Sequence, residues 1–203
     1  MKHRSGILVT ILAVMLCTAV QARPRPGFGI EWGGGASFLE THHFNYNTQE
    51  GRINDVSTRF LFHAQAYVLA DFNLHITDRI GIALVSGYQG IFKDREMIPL
   101  DLRLKFCPKG FSEDGPVLFA EGGAGFPVIH KQANVVAALG AVGGGFRLAL
   151  KDMTGIDFTL AIRGCLDHPD VYDEVNGLWI DSADVKRNNA AYFALTIGVA
   201  LNF

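Results

Sequence analysis

The sequence has few charged residues and, after residue 22, no long apolar run. Charged residues make up 19% of the 203 residues, below the quarter that is usual for soluble domains. Without a second long apolar stretch, we expect no helix of the mature chain to cross a bilayer. The formal net charge of −2 provides no basic surface, so no nucleic-acid partner is expected. The composition therefore favours a single exported or membrane domain.

Cysteine is also scarce. Cys17 lies in the first apolar run, which leaves only Cys107 and Cys165 further along the chain. Two cysteines do not form a disulfide framework. The strand order developed below places them at opposite ends of the fold, so no bond between them is predicted.

The N-terminus has the pattern of an export signal. Lys2 and Arg4 form a basic start, residues 6–20 are apolar, and Ala22 ends a segment suited to signal peptidase. We predict a cleaved signal peptide over residues 1–22 and one domain over residues 23–203.

Strict alternation of apolar and small or polar residues marks the end of the chain. From Tyr192 to Phe203 the large apolar side chains share one parity, which indicates a β-strand with two unlike faces. Seven earlier segments alternate similarly, with turn residues between them. The eight predicted strands cover residues 28–39, 59–72, 80–92, 98–106, 117–126, 136–150, 156–164 and 192–203. Long loops are predicted at residues 41–55 and 167–189.

The three charges in the fourth segment do not by themselves distinguish a membrane barrel from a soluble β-fold, whereas the whole pattern of segments does. Asp101, Arg103 and Lys105 alternate with leucines, and charges are costly in a dry core without partners. Short connections alternate roughly with longer ones, as in outer-membrane barrels. The predicted fold is therefore all-β: an eight-stranded antiparallel up-and-down transmembrane β-barrel.

If the apolar faces contact lipid, ten charged or titratable residues face the lumen. An eight-stranded interior is just wide enough for side chains to fill, so mixed signs predict a polar plug held by ion pairs. A narrow ion-conducting path is the second interpretation. The predicted lumen residues are Glu31, Arg59, His63, Asp101, Arg103, Lys105, Glu121, Arg147, Asp157 and Arg163.

Two other functions remain open. A soluble, exported lipocalin-like barrel that binds a small apolar ligand would turn the apolar faces inward. A lipid-modifying outer-membrane enzyme would need a nucleophile beside a base, and no Ser–His pair shares a height and face in the predicted register. We therefore predict no enzyme and no catalytic residues.

No cofactor or metal site is predicted either. The neighbouring residues His42 and His43 point to opposite sides of an extended strand and chelate poorly. The acidic segment 167–184 lacks the spacing of a calcium loop.

The last eight residues resemble the C-terminal signal of bacterial outer-membrane barrels. Gly198, Leu201 and Phe203 match its glycine, apolar and terminal aromatic positions. The stretches 98–100 and 121–125 are similar to the PorT-type outer membrane protein beta-barrel families common in Bacteroidetes-like bacteria.

This resemblance implies insertion by the barrel-assembly machinery into the outer membrane of a Gram-negative-type bacterium. It implies contact with outer-membrane lipid and lipopolysaccharide, and brings no catalytic residues. We expect a monomer with a structural or adhesive role and with loops exposed outside the cell.

Overall fold

Ten strands form over the described residues of the computed structural model, which are 25–48, 51–92, 95–128, 136–151, 153–173 and 177–203. The predicted signal peptide over residues 1–22 lies outside this part of the chain. The strands are β1 (Arg25–Thr48), β2 (Gly51–His75), β3 (Ile80–Phe92), β4 (Arg95–Phe106), β5 (Gly115–Pro127), β6 (Ala137–Lys151), β7 (Thr154–Asp167), β8 (Tyr172–Asp173), β9 (Leu178–Trp179) and β10 (Val185–Asn202).

Eight of these described strands close into an antiparallel barrel. Each strand pairs with the next along the chain, and β10 follows β7 and pairs with β1. The barrel closes between β1 and β10, where Phe28 and Phe203 exchange backbone hydrogen bonds of 3.1 and 2.8 Å. The described part of the chain contains no helix long and apolar enough to span a membrane.

Large apolar side chains cover the outside of the barrel. Leu102 is 58% exposed and Ile197 is 69% exposed, whereas Arg103 and Asp157 are each 1% exposed. Because a water-soluble barrel would reverse this pattern, the prediction of a transmembrane β-barrel of the outer-membrane type is confirmed. The lipocalin-like alternative is wrong.

A three-stranded ribbon continues above the barrel from β2, β1 and β10. The pairing of β2 with β3 stops at Tyr67 opposite Gln89, yet β1 stays paired with β2 up to Thr48 opposite Gly51. The predicted loop over residues 41–55 is therefore wrong, because most of it is strand. Polar residues occupy both parities of this hairpin, so the alternation of apolar and polar residues that predicts a half-buried strand is missing.

The second predicted loop, 167–189, is also partly ordered into strands. It contains the small hairpin of β8 and β9, and β10 begins at Val185. Arg25, Phe203 and the turns 76–79 and 107–114 share one rim. Because outer-membrane barrels have short periplasmic turns, we assign this rim to the periplasm and the ribbon to the outside.

Candidate functional site

A charged network fills the periplasmic half of the lumen. Arg103 of β4 donates through Nη1 to Glu31 Oε2 (2.7 Å) and through Nε to Glu121 Oε2 (2.6 Å). Arg163 of β7 pairs with Glu121 and lies 3.5 Å from Glu31. Each carboxylate thus contacts both guanidinium groups, which joins β1, β4, β5 and β7 across the lumen. Charges removed from water are tolerated when they are compensated in this way.

A second group lies below the first. Asp157 accepts from Arg147 Nη1 at 2.8 Å and from Lys105 Nζ at 3.0 Å. The side chain of Asn202 bridges this group, since its Oδ1 accepts from Lys105 (2.9 Å) and its Nδ2 donates to Asp157 (3.1 Å). Asn202 therefore links the last strand to the network.

Glycines make room for an aromatic ring beside the first group. The Tyr67 hydroxyl donates to Glu31 (2.9 Å), and its ring lies 5.0 Å from the Arg163 guanidinium carbon. A Cβ atom at Gly33 or Gly198 would overlap the Tyr67 hydroxyl. Gly198, which the resemblance places in the assembly signal, thus has a packing role in the structure.

The turn 107–114 closes the periplasmic end of the lumen with an apolar side chain. Phe111 is buried in a cluster with Cys107 and Val117, and its ring lies edge-on to His75 at a centroid distance of 4.3 Å. Arg147 Nε donates to the Phe111 carbonyl at 2.9 Å, so the charged network holds this plug in place.

The outer half of the lumen is largely apolar, which the sequence did not reveal. Large buried side chains from several strands form one cluster there: Tyr67, Leu69, Val85, Ile91, Phe92, Met97, Leu139 and Tyr192. Strict alternation along residues 80–92 predicts that Phe92 lies on the lipid face with Ile80, Ile82 and Leu84. A register shift between Gln89 and Phe92 turns Phe92 inward instead. Above this layer Arg95 Nε pairs with Asp167 at 2.9 Å.

The structure buries eight of the ten predicted lumen residues, and seven of these form the two groups described above. The eighth, Asp101, packs against Gly123, and its Oδ1 has no hydrogen-bond partner among the described residues. Arg59 and His63 are not buried, and placing Arg59 in the lumen was wrong. It has the inward parity, but it lies on the ribbon above the point where β3 leaves β2, and it donates to Ser57 at 3.2 Å.

Sequence reasoning missed several buried polar members of the lumen. Tyr67, Asp71 and Asn202 have the inward parity of their strands, so alternation alone could have found them. Asn73 and His75 continue the same face to the rim. All five are buried.

The structure brings together one Ser–His pair, although none was predicted to share a height and face. Ser37 lies directly opposite His63 in the ladder of β1 and β2. However, the buried Ser37 hydroxyl donates to the Ile91 carbonyl at 2.5 Å, so the ladder brings the two residues together without a bond between their side chains. The bulge next to Ser37 shifted this register beyond what the sequence indicated.

Metal-binding residues do not cluster within the described ranges. His42 instead accepts or donates a 2.8 Å hydrogen bond with Asp55 and stacks on Phe44 at 4.5 Å. Cys107 and Cys165 are both buried free thiols.

The comparisons with known proteins show similarity of fold only. The chain is similar to the outer membrane protein OprG from Pseudomonas aeruginosa (13% identity, 90% of this chain and 98% of that one, TM-score 0.48). It is also similar to the outer membrane protein AlkL (13%, 88% and 90%, 0.47) and to the outer membrane protease OmpT from Escherichia coli (10%, 91% and 100%, 0.41). No family model and no curated protein matches. The fold assignment therefore rests on the strand pairing described above.

Proposed function

We propose that this chain is a non-conducting outer-membrane barrel whose role is structural and adhesive, with an interaction surface outside the membrane. The observation that carries the proposal is the filled lumen. Phe111 closes the periplasmic end, the ion-paired network fills the periplasmic half of the lumen, and the apolar layer around Phe92 and Tyr192 closes the outer half. Each layer blocks water and ions.

The exposed loops support the adhesive part. The hairpin of β8 and β9 exposes Leu178 and Trp179, and the Tyr172 ring lies 5.0 Å from that of Trp179. Aromatic side chains are enriched where proteins contact partners. The proposed partners remain outer-membrane lipid, lipopolysaccharide and, during insertion, the barrel-assembly machinery. The proposal assigns no catalytic role to Ser37 or any other residue.

Conductance across a planar bilayer tests the closed lumen. The mature chain, refolded and inserted, should give no stepwise current, whereas a general porin in the same bilayer should conduct. A steady single-channel current from the folded, heat-modifiable form would contradict the plug.

Adhesion is tested with cells that carry the chain. Trp179→Ser should reduce adherence to immobilised glycans and to neighbouring cells, whereas the lipid-facing change Trp32→Leu should leave it unchanged. Equal adherence of cells with the wild-type chain, cells with Trp179→Ser and cells that lack the chain would contradict the adhesive role.

A further inference from the structure

The outward face of the ribbon carries positive charge and hydrogen-bonding groups. Its basic, imidazole and amide residues include Arg52, Asn54, His43, Asn45, Arg187 and Asn189, which share one side, together with Val56, because they pair directly or alternate along the strands. Arg52 and Arg187 are both exposed. We call these six residues the ribbon face.

Cross-strand hydrogen bonds hold the ribbon face in one arrangement. Asn54 Oδ1 bonds to both His43 Nε2 (3.0 Å) and Asn45 Nδ2 (3.1 Å). Arg52 Nε donates to Asn45 Oδ1 at 2.8 Å. Because only Nε of Arg52 is used in this bond, its two terminal nitrogens remain available as donors to a ligand.

Acidic side chains of the ribbon lie on its other side. Asp55 bonds to the buried His42, and Glu40 pairs with Arg59 in the ladder on that inner side. Within the described residues the ribbon face therefore contains arginine, histidine and amides but no carboxylate. Such a face fits an anion, and arginine suits phosphate because it can donate two parallel hydrogen bonds.

An apolar groove lies at the foot of the ribbon face. It has a volume of ≈ 540 Å³, and its walls include the outward-facing Ala138, Leu166 and Ala191, with His43 and Asn189 at its edge. Leu166 belongs to the lipid-facing surface of β7. The groove is thus continuous with the surface that contacts lipid, and the cationic face begins where that surface ends.

We infer that the ribbon face and this groove bind a phosphorylated glycolipid of the outer leaflet, with phosphate on Arg52 and Arg187 and part of an acyl chain in the groove. This inference rests on the outer-membrane location in the proposed function and names the lipid contact within it. The described ribbon face has no carboxylate to share a divalent cation, and Asp167, which lines the groove, is paired with Arg95, so the arginines contact phosphate directly.

Binding of lipid A to the refolded mature chain tests the inference. Native mass spectrometry from detergent micelles would compare bisphosphorylated lipid A with dephosphorylated lipid A. The double change Arg52→Gln and Arg187→Gln should weaken binding of the phosphorylated form about tenfold, from the loss of charge-assisted hydrogen bonds. EDTA should leave binding unchanged.

The matched control is Arg59→Gln with Lys109→Gln, which removes two charges elsewhere, on the inner side of the ribbon and in a periplasmic turn. Equal weakening by this control, or equal binding of dephosphorylated lipid A, would overturn the inference. Unchanged heat-modified gel mobility shows that each variant is folded. Conductance measured on the same samples reports the closed lumen separately, so each proposal can fail alone.

Discussion

Arg103 joins two carboxylates of the charged network. It contacts both Glu31 and Glu121 and is 1% exposed. Removing one member of a buried ion pair leaves an uncompensated charge, so Arg103→Met should lower the free energy of unfolding by about 3–5 kcal/mol. Urea unfolding of the refolded barrel, followed by gel mobility, measures this.

Two controls separate this effect from a general loss of charge. Arg59→Gln, on the exposed ribbon, should change the unfolding free energy by less than about 0.5 kcal/mol. Adding Glu121→Gln to Arg103→Met should recover part of the loss, because the contacts are coupled. Equal stability of Arg103→Met and wild type would show that the network does not stabilise the barrel.

Gly198, which was predicted to belong to the assembly signal, packs against the Tyr67 hydroxyl in the structure. Ala at this position would displace the Tyr67 hydroxyl from Glu31, and overpacking of this kind costs about 1–3 kcal/mol. The loss should shrink in a Tyr67→Phe background, which lacks the displaced oxygen. Refolding without the assembly machinery isolates the packing effect, and an equal loss in both backgrounds would contradict it.

At the scale of the strand, alternation predicts structure only where the two faces meet different surroundings. The third strand, residues 80–92, was predicted with the bounds that the structure has, because lipid and lumen differ along it. The extensions of β1 and β2 above the barrel have polar residues on both faces, so their pattern resembled that of a loop. The side chain of Phe92 could not be placed from alternation, because a register shift reverses parity and leaves no composition signal.

The turn 107–114 is the element that closes the periplasmic end. Backbone hydrogen bonds fix it, from Cys107 to the Arg79 carbonyl and from Phe111 to the Asp78 carbonyl, both 2.8 Å. Burial raises the pKa of the Cys107 thiol to about 11. At pH 8 the thiolate, which is the reactive form, is therefore on the order of one molecule in a thousand.

We expect Cys107 in a Cys165→Ala chain to react slowly with a maleimide at pH 8 and faster as the pH rises toward 11. Phe111→Ala should accelerate the reaction by opening the turn. Ser112→Cys, at an exposed position of the same turn, is the reactive control. Labelling of Cys107 as rapid as that of the control would show that the turn does not close the lumen.

For the whole molecule, the orientation of the barrel in the outer membrane determines which of its surfaces face the outside of the cell. Arg25, Phe203 and the turn 107–114 share one rim, and the ribbon and residue Ser182 lie at the other. Because the short turns of outer-membrane barrels face the periplasm, Ser182→Cys should react with a membrane-impermeant maleimide in intact cells. Ser112→Cys should react only after the outer membrane is opened. The buried native thiols should contribute little background in either case. The reverse pattern would place the ribbon in the periplasm, where it could not meet outer-leaflet glycolipid, and would remove the basis of both proposals about the cell surface.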